Sequence, residues 1–509
     1  MMKMKKRWPL VLLAAVFFFS RPHITGTQDY DKWPPDIPKT WDEESLRSME
    51  LPLPDPAASP NYVSADYYYK IPVRPIYKTY PIYFPGKEPA GYFEKLQKAE
   101  PEILFDASKL KTKEDWIHAG ELVFQEPIDF VDSGEYSEIR DTNWFQKNGI
   151  LTTKDGILPN LRYVIREKGK VEVGFLACAH CHTRVMPDGT TIVGAQGNFP
   201  DDRAFGYETR IDVEKSRDPE KVLQDMRSFM RRNYAAPWIA DDINVKPDRM
   251  SLEEIIAVLE AIPPGTCARQ GSSPFYPAHI PDLIGLKDRR YLDASGRVQH
   301  RSIGDLMRYA ALNQGADLLS SYGTFIPKDK LPDPSTQHRY SDEELYALAL
   351  YVYSLEPPPN PNRFDSAAAR GKILFETTGC SVCHPGPLYT NNELTPAAEF
   401  KVPSEHLKKY QVIQMPVDTD STLTLKTRRG SGYYKVPSLK GLWYRGPLEH
   451  NGSVLTLEDW FDPKRLKDDY VPTGFRGSGI KTRAVKGHQF GLSLTPEQRQ
   501  DLIAFLKTL

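Results

Sequence analysis

Two five-residue stretches constrain this 509-residue chain more than anything else in it: Cys178-Ala-His-Cys181-His182 and Cys380-Ser-Val-Cys383-His384. Both read C-x-x-C-H. Two cysteines one helical turn apart can each form a thioether with a haem vinyl group. The histidine directly after them is placed to ligate the iron from the proximal side. With so few cysteines and histidines, one such pattern arises by chance roughly once in a thousand chains. Two of them imply two covalently bound haem c groups, one on Cys178, Cys181 and His182 and one on Cys380, Cys383 and His384. A thioredoxin-like redox pair asks for a βαβ setting, which the flanks do not provide. A single Cys₄ zinc site would join pairs across 198 residues, far beyond zinc-ribbon spacings. The fifth cysteine, Cys267, reads as a buried or half-buried thiol without a role.

The motifs sit in two copies of one unit. Residues 280–296 and 436–452 match without a gap at seven of seventeen positions, at a constant offset of 156. The matches include Pro281/Pro437, Leu283/Leu439, Gly285/Gly441 and Arg289/Arg445. Ala119-Gly-Glu-Leu-Val-Phe124 corresponds to Arg370-Gly-Lys-Ile-Leu-Phe375, and a capped helix closes each copy. Ser341 with Glu344 and Thr495 with Gln498 form the capping boxes, and Pro496 stands at the first helical position. Three correspondences in the same order argue for a duplicated domain. The copies are unequal. Phe375 lies five residues before Cys380, whereas Phe124 lies 54 before Cys178, so the first copy carries an insertion of 49 residues. An insertion beside a cofactor either shapes access to it or decorates the surface.

The expected fold class is mainly α, with two cytochrome-c-like haem domains in tandem and an extended N-terminal arm. Residues 1–22 carry Lys3, Lys5, Lys6 and Arg7 before the uncharged stretch Trp8–Ser20. That stretch suits a signal peptide and is too short to span a bilayer. With no A-x-A site after it, the segment is read as a signal peptide or a retained membrane tether. Residues 23–104 form a Pro/Tyr-rich arm, with Tyr67, Tyr68 and Tyr69 together and Pro72, Pro75, Pro81 and Pro85 further on. Proline fixes φ and removes donors, so long helices are not expected there. The tyrosine rings are expected to pack into grooves of the body. The first haem domain spans 105–356, a Pro-rich linker 357–363 and the second haem domain 364–509.

A haem iron takes a sixth ligand for electron transfer or leaves the position open for oxygen or peroxide. For the second haem the candidate distal ligand is His488, in Lys486-Gly487-His488-Gln489-Phe490-Gly491 just before the last helix, where flanking glycines permit close approach to a ring. Met415, before Pro416, is the runner-up, and His450 pairs with Ala294 in the repeat, so it is not a repeated ligand. For the first haem no equal candidate exists. Met186 is too close to His182 to reach the opposite face, and His338, Met307 and His300 suit structural roles better. The pattern leans to one saturated and one open iron, with His182 the proximal ligand of the reactive centre.

Lys and Arg number 66 against 67 Asp and Glu, which offers no basic excess for nucleic acid. The expected location is periplasmic or secreted, with membrane contact only through an uncleaved N-terminal tether. The segment Lys435–Trp460, together with both motifs, resembles the second domain of the bacterial dihaem cytochrome c peroxidase superfamily, which also contains the methylamine-dehydrogenase maturation enzyme. With residues 486–491 before the closing helix, the chain is most similar to the rubber-oxygenase-like dihaem cytochromes. The resemblance covers about residues 105–509. It implies two helical domains with little sheet facing one another across their haems, His488 as distal ligand of the second haem, and the first haem as the oxygen- or peroxide-reactive one. The function expected is haem binding and electron transfer, with oxidation driven by peroxide or dioxygen at the first haem and the second as relay to a redox partner. The alternative is a non-catalytic electron carrier with both haems six-coordinate.

Overall fold

Four helices frame the molecule, and their start signals explain them. In the first half, Thr112 and Asp115 make a reciprocal capping box for α1 (Lys113–Gln125), and Ser341 and Glu344 do the same for α2 (Asp342–Ser354). In the second half, Asp365 caps α3 (Ser366–Thr377), and Thr495 with Gln498 caps α4 (Pro496–Lys507). The computed structural model describes residues 35–269 and 271–509. The segment 1–22 and the beginning of the arm, 23–34, lie outside the described residues. Among those described, no helix is long and apolar enough to cross a membrane.

The helices pack as two equivalent pairs. A Cβ on Gly120 of α1 would lie 2.0 Å from the carbonyl oxygen of Ala347 in α2, and one on Gly371 of α3 would lie 1.9 Å from that of Asp501 in α4. The same substitution of partners holds for the rings. Phe124 meets Tyr351 at 5.3 Å between centroids, and Phe375 meets Phe505 at 5.3 Å. In each copy a glycine lets two backbones touch and an aromatic pair seals the crossing one turn later. Gly371→Ala is therefore expected to force α3 and α4 apart and lower stability by about 3 kcal/mol, the upper range for overpacking. Denaturant unfolding checks this, and an unchanged midpoint would show that the crossing tolerates a methyl group.

The inserted residues supply three of the four strands of one sheet, in a chain that at 38 % helix and 13 % strand is mainly α as expected. Strands β1 (Thr79–Tyr83), β2 (Asp129–Asp132), β3 (Ile157–Glu167) and β4 (Lys170–Phe175) form one antiparallel sheet in the order β1-β3-β4-β2. The hairpin β3–β4 turns at Lys168-Gly169, where Gly169 has φ +84°. Leu158, Leu161, Tyr163, Ile165, Val171 and Val173 are buried against Trp144 and Phe145. β-branched and aromatic side chains of the insertion fit such a half-buried pleated surface.

The arm is not a separate layer. β1 belongs to it and forms an edge of that sheet, where Pro81 is tolerated. Trp41 stacks on Tyr68 with centroids 4.2 Å apart, and both are buried in one cluster with Val123 and Phe124 of α1 and Leu345 and Leu348 of α2. The tyrosine triplet is helical, in Ala65–Lys70 capped by Ser64, and no long helix occurs in the described part of the arm. Three further helices, Asp201–Lys215, Pro219–Tyr234 and Leu252–Glu260, separate the first motif from its repeat segment. They pack around Met226, Met230, Tyr234 and Leu259.

Candidate functional site

Each C-x-x-C-H motif folds as a single helical turn. The N–H of His182 donates to the Cys178 carbonyl at 3.0 Å, and that of His384 to the Cys380 carbonyl at 2.9 Å. The two turns end with the histidine beside the equivalent proline of the repeat. The Pro281 carbonyl acts on His182 and the Pro437 carbonyl on His384. All four motif thiols are free, as thioether formation requires. Among the described residues no group of three or more His, Cys, Asp or Glu side chains is placed to hold a bare metal ion. The two cysteine pairs thus do not converge on one site.

In the second centre, α3 ends at Thr377 and Gly379, at φ +90°, turns the chain into Cys380–Cys383. Nδ1 of His384 lies 3.1 Å from the Tyr389 carbonyl. That contact fixes the ring by one nitrogen and leaves Nε2 for another partner. His488 stands across from it, ring centroids 6.4 Å apart and planes at 58°. Two imidazoles bound in line to one metal, each bond about 2 Å, have ring centres roughly 6 Å apart, so the pair fits an iron between them. Burial holds both rings neutral, His384 at about 4 and His488, with His384 adding to the effect, at about 3. A neutral imidazole is the ligating form.

The walls around this pair are Phe375, Leu439, Leu442, Trp460, Phe461 and Leu506, enclosing a cavity of about 240 Å³. Such a lining suits an apolar macrocycle. One side is cationic. Burial pulls the Lys435 ammonium down to about 8, and Nε of Arg445 has no hydrogen-bond partner, with Asp282 3.9 Å away. Both line the cavity, and both would suit the carboxylates of a haem. His450 also lines it, but its two ring nitrogens face the Glu449 and Asp420 carboxylates. Burial lowers its pKa, yet the Glu449 and Asp420 carboxylates outweigh that and raise it to about 9, so the ring stays protonated. Met415 is half-buried and does not line the cavity.

The first centre is built differently. Burial lowers His182 to about 4, and its Nδ1 has no hydrogen-bond partner, so the Pro281 contact is too long or bent to count as one. Gln314 donates to Sγ of Cys178 at 3.3 Å. Arg269 is half-buried beside both cysteines, donates to the Asn313 carbonyl at 2.9 Å, and keeps a raised pKa although desolvation opposes its charge. The adjoining cavity is about 760 Å³, with Leu176, Phe199, Asp201, Arg269, Gln314 and Tyr340 on its wall. Among the described residues no imidazole is paired with His182 as His488 is with His384. Met186 packs against the cluster of Ile192, Ala195, Ile284 and Tyr444, and Met307 is fully buried in the main core. His300 is held by the Arg289 carbonyl and the Tyr353 hydroxyl. His338 is exposed and lines the wide cavity.

Sequence reading missed several residues here. His180, inside the first motif, is buried with Nε2 2.7 Å from Oδ1 of Asp201. Glu208 lines the cavity, accepting from Trp144 at 2.9 Å and from the Tyr136 hydroxyl, and burial raises its carboxyl to about 8. A second histidine within the motif was the available signal for His180; nothing local marks Glu208.

The two repeat segments meet between the centres. Asp282, beside Pro281, accepts from the Tyr444 hydroxyl at 2.8 Å and faces Arg445. Gln196 donates to the carbonyls of Gly265 and Pro447, and Arg184 to that of Gly446. A short chain of packed residues therefore links His182 to His384.

No family model matches the chain. It is similar to proteins named cytochrome-c peroxidase. To cytochrome-c peroxidase IdrP1 of Denitromonas iodatirespirans it is 28 % identical over 160 residues, covering 28 % of this chain and 40 % of the relative. To cytochrome-c peroxidase IdrP2 of Pseudomonas sp. (strain SCT) it is 24 % identical over 275 residues, covering 49 % and 62 %. The chain thus spans between 40 % and 62 % of the length of these relatives. Among solved structures, it aligns with a hydrazine synthase of Kuenenia stuttgartiensis at TM-score 0.31 and 16 % identity, covering 56 % of this chain and 87 % of that one. It aligns with a MauG-like protein associated with microbial copper homeostasis at 0.28 and 18 %, covering 46 % and 73 %. Both curated relatives are named for peroxidase activity. None of them bears on the rubber-oxygenase-like subgroup.

Proposed function

We propose that the chain is an exported dihaem c-type cytochrome that oxidises a substrate with peroxide or dioxygen at the centre of Cys178, Cys181 and His182. In this reading the centre of Cys380, Cys383 and His384 relays electrons from a redox partner. The observation that carries it is the asymmetry between the centres. His384 is faced by His488 at 6.4 Å in a tight apolar cavity, whereas among the described residues no imidazole faces His182, and a wide cavity with charged walls reaches Arg269 and Gln314, the neighbours of its two cysteines. A six-coordinate haem stores and passes electrons; one with an open position binds and activates small oxidants. The names of the relatives favour peroxide as oxidant.

The chain's own residues suit those roles. Cys178 and Cys181 would hold the first haem through thioethers, and His182 would ligate its iron. Glu208 keeps a proton at neutral pH on a carboxyl that lines the cavity, where bond cleavage in an oxidant needs a general acid. Arg269 holds positive charge there. The contact of Asp282 with Tyr444 and Arg445 packs the two centres' supporting segments together, which suits electron relay between them.

A carrier with two saturated haems is the second reading, and His338 is what favours it, since it lines the wide cavity and could close on the first centre. The first test is cofactor content. Acid extraction of the purified protein should leave its colour with the polypeptide, and its mass should exceed that of the bare chain by two haems. Colour that passes into the organic phase would remove the basis of both readings.

A further inference from the structure

The loop bearing His488 is held by a group outside the cavity. Arg465 lies in the turn Pro463–Leu466 and is 1 % exposed. Among the described residues no carboxylate pairs with its guanidinium, although the Glu449 carboxylate acts on it at longer range; its donors are spent on carbonyl oxygens. Nε donates to Trp460 at 2.8 Å, Nη1 to Val485 at 2.6 Å and to Gly487 at 3.0 Å, and Nη2 to His488 itself at 2.8 Å. The charge also sits over the Trp460 ring, 5.1 Å from its centre, and that ring is 5.1 Å from the His488 imidazole.

Burying a guanidinium without a directly paired carboxylate is costly, and the cost is offset only when its donors are well paired. Here the acceptors are three carbonyls of one short loop and the carbonyl of the tryptophan beneath it. A planar fork can bind several acceptors in fixed directions, which an ammonium cannot. The loop needs such a hold. His488 has φ 45° and Gly487 φ +84°, backbone angles that an unsupported chain would relax. On the opposite side the loop is pinned by the N–H of His488, which donates to the Val417 carbonyl at 2.7 Å. A Cβ on Gly487 would lie 2.7 Å from the Asp418 carbonyl oxygen, so the loop cannot shift toward that side either.

We propose that Arg465 is a positioning residue that fixes His488 opposite His384, so that the second haem is six-coordinate. The inference rests on the reading of His488 as the distal ligand. The test uses the full-length haem-loaded protein with Arg465→Met, Arg465→Lys and His488→Ala. Spin state is read by optical and paramagnetic-resonance spectra, together with the midpoint potential and the rate of cyanide binding at each centre. Arg465→Met should raise the five-coordinate fraction of the second centre and speed its cyanide binding by about tenfold or more, the scale on which lost supporting contacts alter metal ligation. The first centre should be unchanged, and added imidazole should restore the low-spin signal. Arg465→Lys should fall between Arg465→Met and the native protein.

If His488→Ala changes the second centre while both Arg465 variants leave its spectrum, potential and cyanide rate native, the positioning role is overturned and the ligand assignment stands. If His488→Ala itself changes nothing, the ligand assignment falls and the role of Arg465 with it. Should Arg465→Met fail to accumulate, Arg465→Lys decides: a native cyanide rate at the second centre overturns the proposal, and an accelerated one supports it.

Discussion

His488→Ala is expected to convert the second centre from six- to five-coordinate in essentially every molecule while leaving the first centre as it was. The effect should be large because His488 faces His384 with centroids 6.4 Å apart and Met415 does not line their cavity. Loss of a strong axial ligand also moves the potential, since axial-ligand identity is among the main levers on haem redox behaviour. Visible and paramagnetic-resonance spectra of the oxidised protein read the change directly, and exogenous imidazole should reverse it by filling the space left behind. A low-spin spectrum that survives the substitution would transfer the assignment to a residue brought in by rearrangement, with Met415 the first to examine.

How far this was legible in the sequence depended on how local each signal was. The two motifs, the capping boxes at Ser341 and Thr495 and the last helix are carried by residues within a turn of one another, and the structure forms the helices where those signals place them. His488 could be singled out because its glycines and its place before the last helix are also local. The repeat at Gly120 and Gly371 was visible as a match, but its purpose, backbone contact at the carbonyls of Ala347 and Asp501, appears only when distant helices cross. The sheet was missed although Lys168-Gly169 lies between two β-rich runs. Its edge strand β1 comes from the proline-rich arm, and that pairing spans some eighty residues that no periodicity connects. Arg445 was legible only as the repeat partner of Arg289 and Lys435 only as part of the family-like segment, and Arg465 and Glu208 carried no signal. Their partners are carbonyls, a cavity or rings far along the chain, and a backbone acceptor leaves no mark on sequence.

The unequal insertions bear on mechanism. Sequence reading left open whether the extra residues before Cys178 shape access or decorate the surface. Tyr136 and Phe175, from those residues, and Phe199, Asp201 and Glu208, from just after the motif, all line the wide cavity. The second copy, without these additions, has the narrower cavity and the facing histidine. What distinguishes the two copies therefore lies along the wide cavity, the route that the proposed function gives to an oxidant.

Cyanide, azide or carbon monoxide is accordingly expected to bind at one site per chain, at the centre of Cys178 and Cys181. A saturated iron resists such ligands because a bound imidazole must leave first, whereas an open position takes them directly. The stoichiometry should hold in titrations followed optically, with His488→Ala raising it from one site to two. Replacing His182 should abolish binding at the first site together with any peroxide- or dioxygen-dependent turnover, because among the described residues no other imidazole is placed to substitute for it and Met186, Met307 and His300 are committed elsewhere. Replacing His384 should instead leave ligand binding at the first centre intact and interrupt electron supply to it. The two substitutions thus separate reaction from relay. If neither centre takes these ligands in any redox state, His338 becomes the residue to replace, since closure of an exposed cavity-lining histidine onto the first iron would produce that result. His338→Ala would then be expected to open the site, and the electron-carrier reading would replace the catalytic one.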